Sequence, residues 1–310
     1  MPKRKKRKSR FIIFLVWLSV IVFIFSAGVS AMNYININRE VKIQRTDKNI
    51  DGENLKSKQN AVLAEQNKAE RLYMQIGTKQ KELAEAFKNV DLSKYKGPRY
   101  CYLTFDDGPN AVTERILNIL DEYNLKATFY VYGDKIMSGN GRDIIKKMHE
   151  KGHTIGLHSY THDYKKLYKS EEAFFDEFDS LNELIYDITG EYSKIIRFPG
   201  GSDNTVSRNY NKGIMTRLTQ TIKDKRGFIY HDWNVDCMDA SGKTQTVESL
   251  VNNVKNGIRR GDIFINVLMH DKSMTADALP QIIEAIKAKG YDFYAITEAT
   301  QPIQRSKLGN

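Results

Sequence analysis

The chain has 310 residues, 41% of them hydrophobic and 28% charged, which suits a large globular domain with accessories and excludes wholesale disorder. Its formal net charge is +10, but Lys3, Arg4, Lys5, Lys6, Arg7, Lys8 and Arg10 supply seven of those charges and leave +3 for the rest. Positive charge confined to a tip beside an apolar run is not the footprint of a nucleic-acid binder, and no nucleic-acid partner is expected.

Residues 1–10 are read as a basic cytoplasmic tip. Phe11 to Met32 then runs for 22 residues without a charge. As a helix it would extend roughly 33 Å, enough to cross a bilayer core. The basic cluster before it sets the N-terminus in the cytoplasm and the remainder outside. Val29-Ser30-Ala31 also loosely fits a signal-peptide cleavage site. The run is longer than the usual signal core, so an uncleaved single-pass signal-anchor through residues 11–32 is the preferred reading. Residues 33–95 read as an extracytoplasmic stalk. Ala61 to Val90 is rich in Ala, Glu, Gln and Lys, with Leu63, Leu72, Ile76, Leu83 and Phe87 at helix-like intervals. The register is irregular, so a solvated spacer helix and a self-associating coiled coil both stay open.

From about residue 96 to 310 the pattern changes to short apolar runs alternating with amphipathic segments, as in one globular domain. Strands are expected at Tyr100–Phe105, Ala127–Tyr132, Thr154–Leu157, Ile195–Phe198, Phe228–Val235, Ile263–Met269 and Phe293–Ile296. Helices are expected at Ala111–Tyr123, Arg142–Lys151, Ser170–Thr189, Val247–Arg259 and Ala276–Lys289. Alternating strands and helices predict an α/β fold with a parallel sheet. Seven strands in this length suit a small (β/α) barrel.

The strands repeatedly end in charge or imidazole: Asp106-Asp107, His158, Arg197, Asp236 and His270. In a β/α barrel the C-terminal strand ends share one face, where the active site lies. His158 and His162 stand four apart in His-Ser-Tyr-Thr-His, and a helix or tight turn there lets both reach one divalent cation. Asp106-Asp107-Gly108-Pro109 is a turn by composition. Neighbouring strand side chains point apart, so one carboxylate can face a metal and the other the reacting centre. Two imidazoles and one carboxylate leave metal positions open for water and substrate.

Five segments in order carry a resemblance: Thr104-Phe105-Asp106-Asp107-Gly108-Pro109, His158 to His162, Arg197-Phe198-Pro199-Gly200-Gly201, Trp233-Asn234-Val235-Asp236 and Leu268-Met269-His270. The series resembles the motifs of the polysaccharide deacetylases (carbohydrate esterase family 4), and is similar to their membrane-anchored members acting on peptidoglycan N-acetylglucosamine. It covers about residues 98 to 300, not the stalk. The resemblance implies a deformed seven-stranded (β/α) barrel and metal-dependent hydrolysis of acetyl groups on a polysaccharide. It implies Asp107, His158 and His162 as ligands of one divalent metal, zinc first, with Co, Mn or Ni as alternatives. Asp106 would be the general base, held by Arg197, and His270 the general acid, oriented by Asp236. Gly200 would lend its N–H to the oxyanion, with Pro199, Trp233 and Leu268 on the substrate side.

Two departures bear on specificity. Many members carry an aromatic where Gly200 sits, and tryptophan where Ala240 follows Asp239, so an opened substrate groove is expected here. Cell-wall peptidoglycan is the leading substrate. An exopolysaccharide such as poly-N-acetylglucosamine, a chitin-like oligomer, or a catalytically dead sugar-binding module are the alternatives. None of the charged site positions is missing, which argues against the last. Cys101 and Cys237 are expected as free thiols: Cys101 lies five residues before Asp106, roughly 16 Å along a strand from the end where Cys237 falls, beyond the about 7 Å of a disulfide.

Overall fold

The computed structural model describes residues 97–305 and, before them, the single position Asn60. The basic tip, the apolar run and all but that one residue of the stalk lie outside the described residues. Among the described residues no helix is long and apolar enough to cross a membrane.

The elements follow in order as β1 (Arg99–Gly108), α1 (Ala111–Glu122), β2 (Thr128–Tyr132), α2 (Gly133–Ile136), α3 (Gly141–Glu150), β3 (Thr154–Ser159), α4 (Tyr164–Leu167), α5 (Glu171–Thr189), β4 (Ile195–Ile196), a 3-10 turn (Val206–Asn209), α6 (Ile214–Arg226), β5 (Ile229–Tyr230), β6 (Val235–Asp236), α7 (Val247–Gly257), β7 (Phe264–His270), α8 (Ser273–Lys287) and β8 (Tyr291–Phe293). The sheet order is β5-β4-β3-β2-β1-β7-β6, with β8 against β1, and every pair is parallel. The sheet is therefore a curled half-barrel of seven strands plus one, with β5 and β6 left as its two ends. Parallel strands need helices across their faces, and the amphipathic helices provide them. In α1, Thr113, Ile116, Leu117 and Leu120 form one buried stripe, and the Asn110 side chain caps the first turn.

The expected strand Phe228–Val235 is divided into β5 and β6. The interruption has a chemical cause. The carbonyls of His231 and Asp232 turn to the buried Arg197 guanidinium instead of a neighbouring strand. The last strand is Tyr291–Phe293, earlier than expected, because Tyr100 and Cys101 of β1 set its register. Helix α6 was not anticipated. Its ends are marked by Gly213 and Gly227, both at positive φ, and it buries Ile214, Met215, Leu218 and Ile222. Cys101 and Cys237 are buried and unbridged, as expected. Cys101 pairs with Ile265 while Cys237 bonds to Leu268, three residues further along β7 and on its other side. That is about 10 Å along the sheet and about two strand spacings across.

Candidate active site

Strand β1 delivers two carboxylates in different ways. Asp106 stays in the ladder, level with Tyr130 of β2 and His270 of β7. The pairing with β2 then skips Asp107 and resumes at Gly108, so Asp107 is a bulged residue. Its φ of 69° is left-handed, a region aspartate tolerates better than most residues. The bulge turns its carboxylate outward while Asp106 remains buried. Glycine suits position 108: a Cβ there would run into the Asp271 carboxylate.

Strand β3 repeats the device. Its pairing with β2 passes from Leu157 to Ser159 and skips His158. The His158 ring nitrogen Nδ1 lies 2.9 Å from the Arg197 carbonyl, and donation there fixes the tautomer and leaves Nε2 as the free acceptor. Burial pushes the His158 pKa down, favouring the neutral ring that a metal requires. His162 comes from a tight turn, with its N–H on Ser159 Oγ and a φ of 56°. That turn is clamped by Glu177 of α5, whose carboxylate accepts from Tyr160 N (2.9 Å), Thr161 N (2.7 Å) and Thr161 Oγ1 (3.0 Å).

Asp107, His158 and His162 each offer one ligand atom, and these atoms lie within 4.8 Å of one another. Asp107 Oδ1 is 3.6 Å from His158 Nε2 and 3.3 Å from His162 Nε2. Tetrahedral ligation at about 2.1 Å spaces donor atoms by about 3.4 Å. Asp107 Oδ1 is also a buried acceptor without a hydrogen-bond partner. A buried carboxylate oxygen so placed costs free energy unless a cation meets it. The donor set, its spacing and the orphaned oxygen all fit a divalent metal.

Arg197 is wholly buried, and all five of its N–H groups have acceptors. Nε donates to the His231 carbonyl (2.9 Å). Nη1 donates to Thr104 Oγ1 (2.8 Å) and Asp106 Oδ1 (2.8 Å). Nη2 donates to the Asp232 carbonyl (3.3 Å) and Asn266 Oδ1 (3.1 Å). Its face stacks on Tyr130, 4.1 Å from the ring centre. The expected Arg197–Asp106 pair is thus a buried, fully satisfied ion pair.

His270 corrects one expectation. Its Nδ1 lies 2.7 Å from Asp239 Oδ1, and its backbone N–H donates to Asp239 Oδ2. Thr275 Oγ1 donates to the same carboxylate at 2.6 Å. The orienting partner is Asp239, not Asp236. The register shows why. Asp236 ends β6 level with Leu268, two residues short of His270, and it accepts the Met238 N–H instead. The chain then turns at Met238, with φ 65°, and brings Asp239 back under the imidazole. Burial alone would lower the His270 pKa, but the Asp239 hydrogen bond and the charges of Asp106, Asp239 and Asp107 outweigh it. The imidazole is pushed up to about 9. Burial would raise Asp239, and the His270 contacts overcome that and hold it down.

On the substrate side, Gly200 has a φ of 79°. The place its Cβ would take lies 2.8 Å from Tyr164 Oη, so the opening expected at Gly200 is filled by a tyrosine from α4. The Pro199 carbonyl accepts from Tyr168 Oη at 2.7 Å. Trp233 is half-buried, with Arg305 stacked 3.8 Å from its ring centre. Leu268 is buried yet belongs to neither apolar cluster of the core. Ala240 is exposed.

Sequence reasoning missed Asp239, Glu177, Asn266 and Asp271. An Asp three residues after a strand-ending Asp, across a short turn, was the available signal for Asp239. Nothing local marks Glu177, whose partners lie 16 and 17 positions away. Asp271 is buried beneath Gly108 and bonded by Thr113. Burial first, then the charges of Asp107 and Asp106, push it up to about 7.

Residues 93–217 match the family model for polysaccharide deacetylases. The chain is 31% identical over 218 residues to a putative polysaccharide deacetylase of Bacillus subtilis, covering 70% of this chain and 73% of that one. It is 31% identical over 230 residues to a peptidoglycan-N-acetylglucosamine deacetylase of Bacillus cereus, covering 70% and 79%. Among solved structures it is similar to the catalytic domain of a peptidoglycan N-acetylglucosamine deacetylase from Eubacterium rectale. The TM-score is 0.64 at 40% identity, over 69% of this chain and 96% of that one. A polysaccharide deacetylase from Bacillus cereus matches with a TM-score of 0.57 at 31% identity, over 67% and 97%. With a half-barrel of the same kind and the paired carboxylates, paired imidazoles and buried arginine on one rim, the chain belongs to the polysaccharide deacetylase family.

Proposed function

We propose that this protein hydrolyses the N-acetyl groups of N-acetylglucosamine in cell-wall peptidoglycan, with one divalent metal, zinc first, held by Asp107, His158 and His162. The observation that carries the reading is the ligand cluster, closed to within 4.8 Å, beside a separate base and a separate acid. A bound divalent cation would supply Lewis acidity for the acetyl carbonyl and lower the pKa of water toward about 7. The protein's own groups do the rest. Asp106, oriented by the Arg197 guanidinium, takes the proton of the attacking water. The Gly200 N–H receives the developing oxyanion. His270, cationic beside Asp239, gives its proton to the departing nitrogen, which leaves as an amine.

The 22-residue apolar run at 11–32 and the basic tip before it support a single-pass anchor in the cell membrane, with the catalytic domain outside, close to the wall polymer. The test is acetate release from purified sacculi, chitin oligomers and β-1,6-linked N-acetylglucosamine oligomers, after chelation and with single metals added back. Release from sacculi that returns with zinc supports the reading. Release from the β-1,6-linked oligomers alone moves the substrate to an exopolysaccharide. No release from any substrate with any metal defeats it.

A further inference from the structure

Tyr164 opens α4 immediately after the turn that carries His162, and two neighbours fix its ring. On one side it meets His162 edge-on, with ring centres 5.8 Å apart. On the other it meets Tyr168 at 5.5 Å, also edge-on. Tyr168 is fully buried and tied by its hydroxyl to the Pro199 carbonyl. Tyr164 is only half-buried. Its hydroxyl lies over the Gly200 backbone, where a side chain on that residue would begin. The ring therefore lies between a metal-ligand imidazole and Gly200, the residue whose N–H is assigned to the oxyanion. A half-exposed phenol at that place faces whatever sugar presents its acetamide to both.

The hydroxyl also has the right chemistry. It can donate one hydrogen bond and accept others, while the ring edge gives an apolar wall.

We infer that Tyr164 is a specificity-determining residue of the deacetylase: it walls the substrate groove above Gly200, and its hydroxyl hydrogen-bonds the sugar whose acetyl group is removed. The inference rests on the deacetylase reading above and names a substrate contact within it. A residue that only packed His162 would act on metal and chemistry alike, whatever the substrate. A sugar contact acts on the glycan.

The test compares the full-length protein with Tyr164→Phe and Tyr164→Ala on N-acetylglucosamine oligomers and on a sugarless aryl acetate. Zinc affinity is measured by chelator competition. Losing one neutral hydrogen bond to the sugar should raise the oligomer KM of Tyr164→Phe by about 3- to 10-fold with little change in kcat. The oligomer-to-aryl-acetate ratio of kcat/KM should fall by the same factor, and further in Tyr164→Ala, with zinc affinity held within about twofold in Tyr164→Phe. An unchanged ratio in both variants overturns the inference and leaves the deacetylase reading standing. An equal loss on both substrates, together with weakened zinc affinity, also overturns it, because the ring then serves only to pack His162. A wild-type protein that cleaves the aryl acetate but no glycan removes the glycan reading and this contact with it.

Discussion

Replacing Asp239 by asparagine should move the alkaline limit of activity, and replacing Asp236 should move it far less. His270 sits at about 9 because Asp239 bonds its Nδ1 at 2.7 Å and the charges of Asp106, Asp239 and Asp107 surround it. As general acid it works while protonated, so wild-type kcat/KM should fall as pH rises through about 9. An asparagine keeps an acceptor oxygen but loses the charge. A hydrogen bond to a charged group contributes about 1.5–3 kcal/mol, and 1.36 kcal/mol is one pKa unit, so the limb should drop by about one to two units, to about pH 7–8. At pH 8 an imidazole of pKa about 9 is about 91% protonated, and one of about 7 is about 9%, which gives about a tenfold loss there at the larger shift. The same pair stabilises the fold. A folded pKa raised above the ordinary 6.5 contributes stability that is fully present below pH 6.5 and is lost as pH rises through about 9. The assay is a pH–rate profile on chitin oligomers at saturating metal, with thermal melts at pH 6 and pH 10. If Asp239→Asn keeps its limb at about 9 while Asp236→Asn shifts, the pairing drawn from the register is wrong.

Asp106→Asn should keep its metal and lose turnover by about 10²- to 10⁴-fold, measured by metal content and single-substrate kinetics on one preparation. Asp107→Ala or His158→Ala should abolish stoichiometric metal binding, and chelation of the wild type should remove activity and lower Tm, both returning on addback. Glu177→Ala should weaken metal affinity by about 10- to 100-fold, because the 160–161 turn loses its backbone acceptor. In that variant excess metal should restore much of kcat, and a kcat loss that excess metal leaves in place would refute a positioning role for Glu177.

Much of the site was legible from sequence because strand ends are short-range features. An apolar run that stops at Asp, His or Arg announces its rim residue without any tertiary knowledge, and Asp106, Asp107, His158, Arg197 and His270 all came from that rule. It failed where a contact depends on register between strands. Asp236 and His270 each end a strand, yet β6 stops two residues short of the level of His270, and only the parallel pairing shows this. It failed again where a helix reaches into a loop, as Glu177 does from α5. The division of Phe228–Val235 was hidden for a related reason. Its polar middle reads as strand-compatible until the buried guanidinium that claims its carbonyls is known. Helix α6 was overlooked although its bounding glycines were visible, because Thr216, Thr219 and Thr221 lower its helix propensity and break up the stripe of Ile214, Met215, Leu218 and Ile222.

The two bulges explain how one rim can hold both ligands and proton-transfer groups. In a regular parallel ladder, Asp106 and His270 stand level on adjacent strands, about 4.8 Å apart at the backbone. That spacing suits a base and an acid acting on opposite sides of one amide. It does not suit a metal ligand next in the chain, since the following side chain would point to the other face. Both β1 and β3 solve this against the same neighbour, β2, by leaving one residue out of the pairing: Asp107 on one side and His158 on the other. Each skipped residue is freed from the alternation and can aim at a point between the strands. The left-handed backbone at Asp107 and His162 costs on the order of 1–3 kcal/mol each and persists only where the surroundings hold it. Arg197 braces the residues beside them, through its carbonyl on His158 and its guanidinium on Asp106, and Glu177 braces the 160–161 turn. The arginine is therefore a joint between the two halves of the chemistry. A change at Arg197 should disturb the base and a ligand together, whereas a change at Glu177 should reach the metal alone.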